Sequence, residues 1–130
     1  MAAAVPAVSA AVVEPLTVFI VVRRDLIKTL NWPIGSVIAQ GCHAVSASLW
    51  KHRDHAATQE YMSDMAHMHK VVYEIKNESQ LVALANRLTE QQIDHALWRE
   101  QPEDILTSLA TRPYRKSEVG DAFKKCGLFR

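Results

Sequence analysis

The sequence predicts an α/β protein, a three-layer α/β/α sandwich with a four-stranded mixed sheet. Three observations predict this fold. An unbroken run of mostly β-branched residues near the N-terminus is typical of a strand covered on both faces. Two later segments have the apolar spacing of amphipathic helices, and each lies between predicted strands. This order contains two strand-helix-strand crossovers, which are right-handed and favour a mostly parallel sheet with helices on both faces.

The first strand is predicted at Leu16–Val22, where charged residues end the apolar run. A loop over 25–32 leads to Pro33, where a helix begins, because proline in a first helical turn lacks only an N–H that would have had no partner. This helix is predicted to reach about Lys51, with an apolar stripe formed by Ile34, Ile38, Val45 and Leu49. A strip of small residues allows a close approach to the sheet: Gly41, Ala44 and Ser48.

The middle of the chain predicts a short helix within 55–68 and a second strand at His69–Ile75. Asn77, with Gln80 three residues later, resembles a capping box and predicts a helix over Glu78–Gln91. The stripe that this helix turns toward the core is Leu81, Leu84, Ala85 and Leu88.

The C-terminal third predicts a strand at Ile93–Arg99, a turn over Gln101–Asp104 and a returning strand at Ile105–Thr111. We expect these two strands to pair antiparallel. Ser117 is then predicted to cap a last helix, and Gly127 follows that helix.

Composition bounds the class of protein. The chain has 130 residues with 48% hydrophobic and 22% charged side chains, which fits one folded domain, predicted at 16–130 after a flexible tail at 1–15. The tail has no basic residue, which argues against a secretory signal, and no apolar run approaches the ~20 residues of a membrane span. Two cysteines, Cys42 and Cys126, without a CxxC spacing, predict reduced thiols and a cytoplasmic location.

Charge is balanced overall but uneven along the chain. Lysine and arginine number 15 against 14 aspartate and glutamate residues, so the net charge points to no polyanionic partner. Residues 112–130 hold six basic and two acidic side chains, a local net of +4, which predicts a phosphate-facing patch.

Ligands of open α/β sheets bind at the carboxyl ends of the strands, which places a crevice near Arg23, Arg24, Asp25 and Glu100. The two arginines fit either a phosphate clamp or a solvated strand end. On the first helix, a polar row lies along one face: Ser36, Gln40 and His43. Such a row is either part of a reaction centre or a solvated helix side. A serine-histidine dyad is excluded, because seven helical residues separate the two by about 10 Å.

Histidines and tryptophans supply further candidates. The six histidines match no closed zinc pattern, and we expect no metal site. Trp32, Trp50 and Trp98 either stack on unpaired bases or pack in the core and its rim, and Trp32, in a loop, is the best stacking candidate.

Four motifs together resemble the type II peptidyl-tRNA hydrolases from about Leu16 to the C-terminus: Val21–Leu26, Ala39–Ala44, Lys70–Val72 and Ala96–Leu97. The closer likeness is to the peptidyl-tRNA hydrolase domain-containing branch. It is carried by Trp32-Pro33, His52–His55, Ile93–His95, Leu97-Trp98, Glu100–Glu103 and Arg112–Tyr114.

The resemblance implies hydrolysis of the ester between peptide and tRNA, without a metal or cofactor, and peptidyl-tRNA as partner. It implies that Glu100 activates water and that Gln40, His43 and Thr107 orient the ester. The implied substrate-binding and tRNA-binding residues are Arg23, Arg24, Asp25, Ser36 and Arg112.

The chain departs from the family pattern at three positions. Ser36 takes the place of the family's lysine, Glu100 that of its aspartate, and Asp104 lies nearest the first of two threonines, in a loop shortened by about five residues. The alternative is therefore a catalytically weak or inactive relative that binds RNA or protein. The oligomeric state stays open.

Overall fold

The structure is a computed structural model that describes residues 13–130. One sheet has the strand order β3-β4-β1-β2-β5. Its strands are β1 Thr17–Arg23, β2 His69–Ile75, β3 His95–Glu100, β4 Ile105–Thr111 and β5 Gly127–Leu128. The helices are α1 Asp25–Lys28, α2 Ile34–Lys51, α3 Ala56–Ser63, α4 Glu78–Glu90 and α5 Lys116–Val119, with 3₁₀ turns at Met65–His67 and Gly120–Phe123. The α/β class is therefore confirmed.

Strand β1 is the centre of the fold, as its composition predicts. It pairs in parallel with β2 along its whole length and antiparallel with β4. Phe19 and Val21 face the core beneath α4, whereas Val18, Ile20 and Val22 face the core beneath α2. Because both faces are buried, the strand needs no polar alternation.

The predicted sheet is wrong in two respects. It has five strands, because Gly127 and Leu128 pair antiparallel with Glu74 and Tyr73, and two residues are too few to show a strand pattern. It is also not mostly parallel between neighbours, since only β1 and β2 pair in parallel, while β1–β4, β3–β4 and β2–β5 are antiparallel.

Helix α2 begins directly after Pro33 and ends at Lys51, as predicted. The small-residue strip lies against the sheet, and a Cβ on Gly41 would stand 3.6 Å from Ile20. The predicted apolar stripe is confirmed in part: Val45 and Leu49 pack against the core, whereas Ile34 and Ile38 are 61% and 62% exposed. Small residues thus bring the backbone close and leave the larger ones on the helix flank.

Helix α4 confirms the capping prediction in part. The Asn77 side chain accepts a hydrogen bond from the Gln80 N–H at 3.0 Å, and the predicted apolar stripe is buried. The Gln80 side chain accepts from the N–H of Lys76 rather than from that of Asn77. The reciprocal half of the box is therefore displaced by one residue.

The predicted C-terminal helix is short, and Ser117 is not its cap. Arg115 occupies the N-cap position of α5, while the N–H of Ser117 donates to the carboxylate of Glu14 at 2.8 Å. The Arg115 guanidinium also donates to the Glu14 carbonyl. Residues 1–12 of the predicted tail lie outside the described residues. No helix within 13–130 is long and apolar enough to cross a membrane.

At the edge of the sheet opposite the crevice, three side chains tie β3 to β4. Arg112 bonds Asp94 at 2.9 Å and lies over the Tyr114 ring at 3.8 Å. The N–H of Asp94 donates to the Tyr114 hydroxyl at 2.7 Å. The branch motifs at 93–95 and 112–114 thus meet here and have a structural role.

Replacing Tyr114 by Phe should lower the free energy of unfolding by about 1 to 3 kcal/mol, because the N–H of Asp94 loses its partner. Urea unfolding measures this change. Tyr73→Phe is the matched control, since within residues 13–130 the Tyr73 hydroxyl has no hydrogen bond, and it should change stability by less than about 0.5 kcal/mol. Equal losses in both variants would contradict the assignment.

Burial lowers the pKa of His52, whose Nδ1 donates to the Ser48 carbonyl oxygen at 2.8 Å. The unfolded chain therefore binds more protons than the folded one just below pH ~6.5. Stability is fully present above that pH and falls as the pH drops toward the folded pKa. Melting temperatures at about pH 7.5 and about pH 5.5 should differ more for the wild type than for His52→Gln. An identical fall in both proteins would refute this contribution.

Candidate active site

The predicted crevice corresponds to the carboxyl edge of the sheet, where α2 packs against β4 and β3. Strand β4 runs antiparallel to β1, so its first residues lie near the end of β1. The paired register ends at Val22↔Ser108, and the Arg23 guanidinium donates to the Leu106 carbonyl. Strand β3 ends at Glu100, which pairs with Ile105. Helix α2 and the hairpin of β3 and β4, which are distant in sequence, therefore bring Gln40, Glu100 and Thr107 to the same edge of the sheet.

A buried hydrogen bond joins α2 to β4 at the base of the crevice. The Thr107 hydroxyl donates to Oε1 of Gln40 at 2.7 Å, and the Gln40 amide donates to the Ser36 carbonyl at 3.1 Å. Both side chains are at most 1% exposed. The Ser108 hydroxyl adds a bond to the Gln40 carbonyl at 2.8 Å. Gln40 and Thr107 are therefore buried against each other, and their hydrogen bond fixes α2 on β4.

Three side chains form the accessible wall of the crevice. The indole N–H of Trp98 donates to Oε1 of Glu100 at 2.9 Å. The His43 ring stacks on the Trp98 ring, with 4.5 Å between centroids and 17° between planes. Nε2 of His43 lies 4.0 Å from Oε1 of Glu100, a separation that a water molecule bridges well. The side chains of His43 and Glu100 are 45% and 23% exposed, so both can meet a ligand.

Arg23 is a structural clamp at the end of β1. Its guanidinium holds both carboxylate oxygens of Asp25, at 2.9 and 2.8 Å, and donates to the Leu106 carbonyl at 2.9 Å. The side chain is buried, so its donors face protein rather than solvent. Glu78 completes the junction by accepting from the Leu106 N–H at 2.8 Å. Arg23 and Asp25 thus fix the start of β4 beside the end of β1.

The remaining sequence-derived candidates lie around the crevice or apart from it. Ser36 is exposed in the first turn of α2. Arg24 comes directly after Arg23 in the chain. Its Nε lies 3.8 Å from the Glu74 carboxylate, and its guanidinium lies 4.8 Å from the centre of the Phe129 ring. Arg112 lies past the far end of β4, about 16 Å along the strand from Thr107. The structure therefore separates Arg112 from the crevice.

The chain is similar to known proteins along most of its length. The profile of the family described as peptidyl-tRNA hydrolase PTH2 matches residues 16–129. The chain belongs to the type II peptidyl-tRNA hydrolase family. A Homo sapiens protein named "Putative peptidyl-tRNA hydrolase PTRHD1" is 46% identical over 125 residues, covering 95% of this chain and 89% of that protein. The Mus musculus protein of the same name is 46% identical over 121 residues, covering 91% and 86%.

Trp98 lies in the crevice of this peptidyl-tRNA hydrolase family member, although the sequence favours Trp32 as the tryptophan that stacks on a ligand. The signal was present, because residues two apart on a strand point to the same face and Trp98 precedes Glu100 by two. Trp32 and Trp98 both pack against the core beneath α2, and Trp98 in addition stacks on His43 and donates to Glu100. Within residues 13–130, no three His, Cys, Asp or Glu side chains are grouped as a metal site would require.

Thr107→Val should lower the free energy of unfolding by about 1 to 3 kcal/mol, because it leaves the buried Oε1 of Gln40 without a donor. Thr107→Ser keeps the hydroxyl and is the control. Urea unfolding of both variants measures the difference. Destabilisation by Ser but not by Val would show that the methyl group, rather than the hydrogen bond, holds α2 against β4.

Proposed function

We propose that this protein is a peptidyl-tRNA hydrolase in which Glu100 is the general base. The proposal rests on the Glu100 carboxylate, which is held by a hydrogen bond to one oxygen and keeps its second oxygen available to a ligand. Oε1 accepts from Trp98, while Oε2 has no hydrogen-bond partner among residues 13–130. A fixed carboxylate with a free oxygen beside an accessible histidine is suited to taking a proton from water.

The reaction is an ester hydrolysis. Oε2 of Glu100 accepts a proton from a water molecule as the water oxygen attacks the acyl carbon of the peptide. The bond between that carbon and the ribose oxygen then breaks, and the ribose oxygen takes the proton from Glu100. The products are a peptide carboxylic acid and tRNA with a free ribose hydroxyl, so every atom of the water is accounted for.

The other crevice residues supply geometry. The His43 ring lies flat on Trp98 with Nε2 facing the same space as Glu100, where it can hydrogen bond the ester or the attacking water. Gln40 and Thr107 act through α2, because their buried bond fixes the height of His43 over β3. A misplacement of about 1 Å at a reacting centre can cost ~10²-fold in rate, which gives such positioning residues a kinetic effect.

Glu100→Gln should lower the rate of peptide release by about 10²- to 10⁴-fold, because the amide cannot accept a proton from water. Single-turnover assays with a defined peptidyl-tRNA measure the rate. Glu103→Gln is the matched control, since Glu103 is exposed three residues further on in the turn, and it should retain the wild-type rate. Unchanged release by Glu100→Gln would refute the assignment of the base.

Ser36 supports a second candidate function, binding without turnover. This position lies exposed in the first turn of α2, at the mouth of the crevice, and carries no ammonium group that could stabilise negative charge on the reacting ester. A binding module would hold peptidyl-tRNA or a protein with the same crevice. Retained tRNA affinity together with no peptide release by the wild type would favour this function.

A further inference from the structure

A polar trough of about 800 Å³ lies on the α4 side of the sheet, outside the crevice. One wall is α4 and the other is the segment Lys125–Gly127. The upper end reaches α1 and Arg24, at the same carboxyl edge of the sheet as Thr107. Along α4 the trough extends from Gln80 to Arg87, which is about 10 Å of helix.

Five basic side chains line the trough: Arg24, Lys28, Lys76, Arg87 and Lys125. Its two acidic residues offset little of this charge. Both carboxylate oxygens of Asp25 are held by the buried Arg23, and Glu74 lies 3.8 Å from Arg24. In the chain from 13 to 130, the side chains of Lys28, Lys76, Arg87 and Lys125 form no salt bridge and no hydrogen bond.

Three arginines outside the trough, by contrast, are paired with acidic side chains. Arg99, Arg112 and Arg115 each lie within a salt bridge, to Asp104, Asp94 and Glu60. Positive side chains that converge on one concavity repel each other and raise the local positive potential, and an anion that enters lowers this energy. The chemistry of the trough therefore selects phosphate or another polyvalent anion.

The position of the trough favours the backbone of an RNA strand over a small anion. Arg24 follows Arg23, whose guanidinium donates to the carbonyl of Leu106, the residue before Thr107 on β4. Strands β1 and β4 are neighbours, about 4.8 Å apart. A strand whose terminal ester lies at Glu100 can thus pass over α1 and continue into the trough. The elongated shape along α4 suits successive phosphates better than one compact ligand.

We propose that the trough binds the phosphodiester backbone of tRNA next to the ester-bearing end. The proposal rests on the proposed hydrolysis for its orientation, but binding can be measured without any reaction. The lysines that would contact RNA lie outside the family motifs. Arg23 and Arg112 would not contact it, because their guanidinium groups are bonded to Asp25 and Asp94.

The test is fluorescence anisotropy of labelled, uncharged tRNA with the whole protein over a series of salt concentrations. The trough variant is K28A/K76A/K125A, and the matched control is K51A/K70A/K116A, which removes three exposed lysines outside the trough. The trough variant should lower the slope of log affinity against log salt by about three and weaken binding at least ~10-fold at ~0.1 M salt. The control should stay within about two-fold of the wild type.

Equal weakening by both variants, or by neither, would overturn the proposal, provided that melting temperatures confirm folding. A trough variant that binds tRNA normally but no longer binds ATP would overturn it in favour of a small phosphate ligand. Trough-dependent tRNA binding by a wild type that releases no peptide would uphold the trough and refute hydrolysis. Normal hydrolysis with unaltered tRNA binding by the trough variant would refute the trough alone.

Discussion

The hydrogen bond from Thr107 to Gln40 sets the position of α2 on the sheet, and the crevice depends on that position. Both side chains are buried, so either one without its partner would carry an uncompensated polar atom in the core. A slide or rotation of α2 would break this bond together with that from Ser108 to the Gln40 carbonyl. Apolar contacts alone tolerate small shifts, whereas these directional bonds select one register. Ser36 and His43 are placed as a consequence.

The carboxyl edge separates residues that build the crevice from residues that can meet a ligand. Arg23 bonds Asp25 and donates to the Leu106 carbonyl, and Glu78 accepts from the Leu106 N–H. These three side chains hold the start of β4 in place. Glu100 and His43 keep accessible polar atoms beside Trp98. The lysines of the trough, which have no side-chain partner among residues 13–130, lie on the other side of the same edge. Residue types alone do not show which residues are buried and which are accessible. Gln40 and Thr107 match the family pattern by type, yet both are buried.

Much of the fold could be predicted because long segments carry strong patterns. Strand β2 and helices α2 and α4 lie where alternation, proline and the Asn77 cap place them, to within one residue at each end. Strand β5 could not be found, because its two residues pair through backbone groups and need no particular side chains. The position of Arg112 follows from β4 being antiparallel: Thr107, early in the strand, reaches the carboxyl edge, and Arg112, after its end, lies at the opposite one. The convergence of Lys28, Arg87 and Lys125 on one trough likewise depends on the tertiary structure and is not encoded in sequence spacing.

The central claim is that water, activated in this crevice, attacks the acyl carbon of the ester. Hydrolysis of a defined peptidyl-tRNA by the wild type in ¹⁸O-labelled water, with mass spectrometry of both products, tests it most directly. The account predicts one ¹⁸O atom in the carboxyl group of the released peptide and none in the tRNA. Label in the ribose hydroxyl, or no peptide release above the rate in buffer, would contradict it.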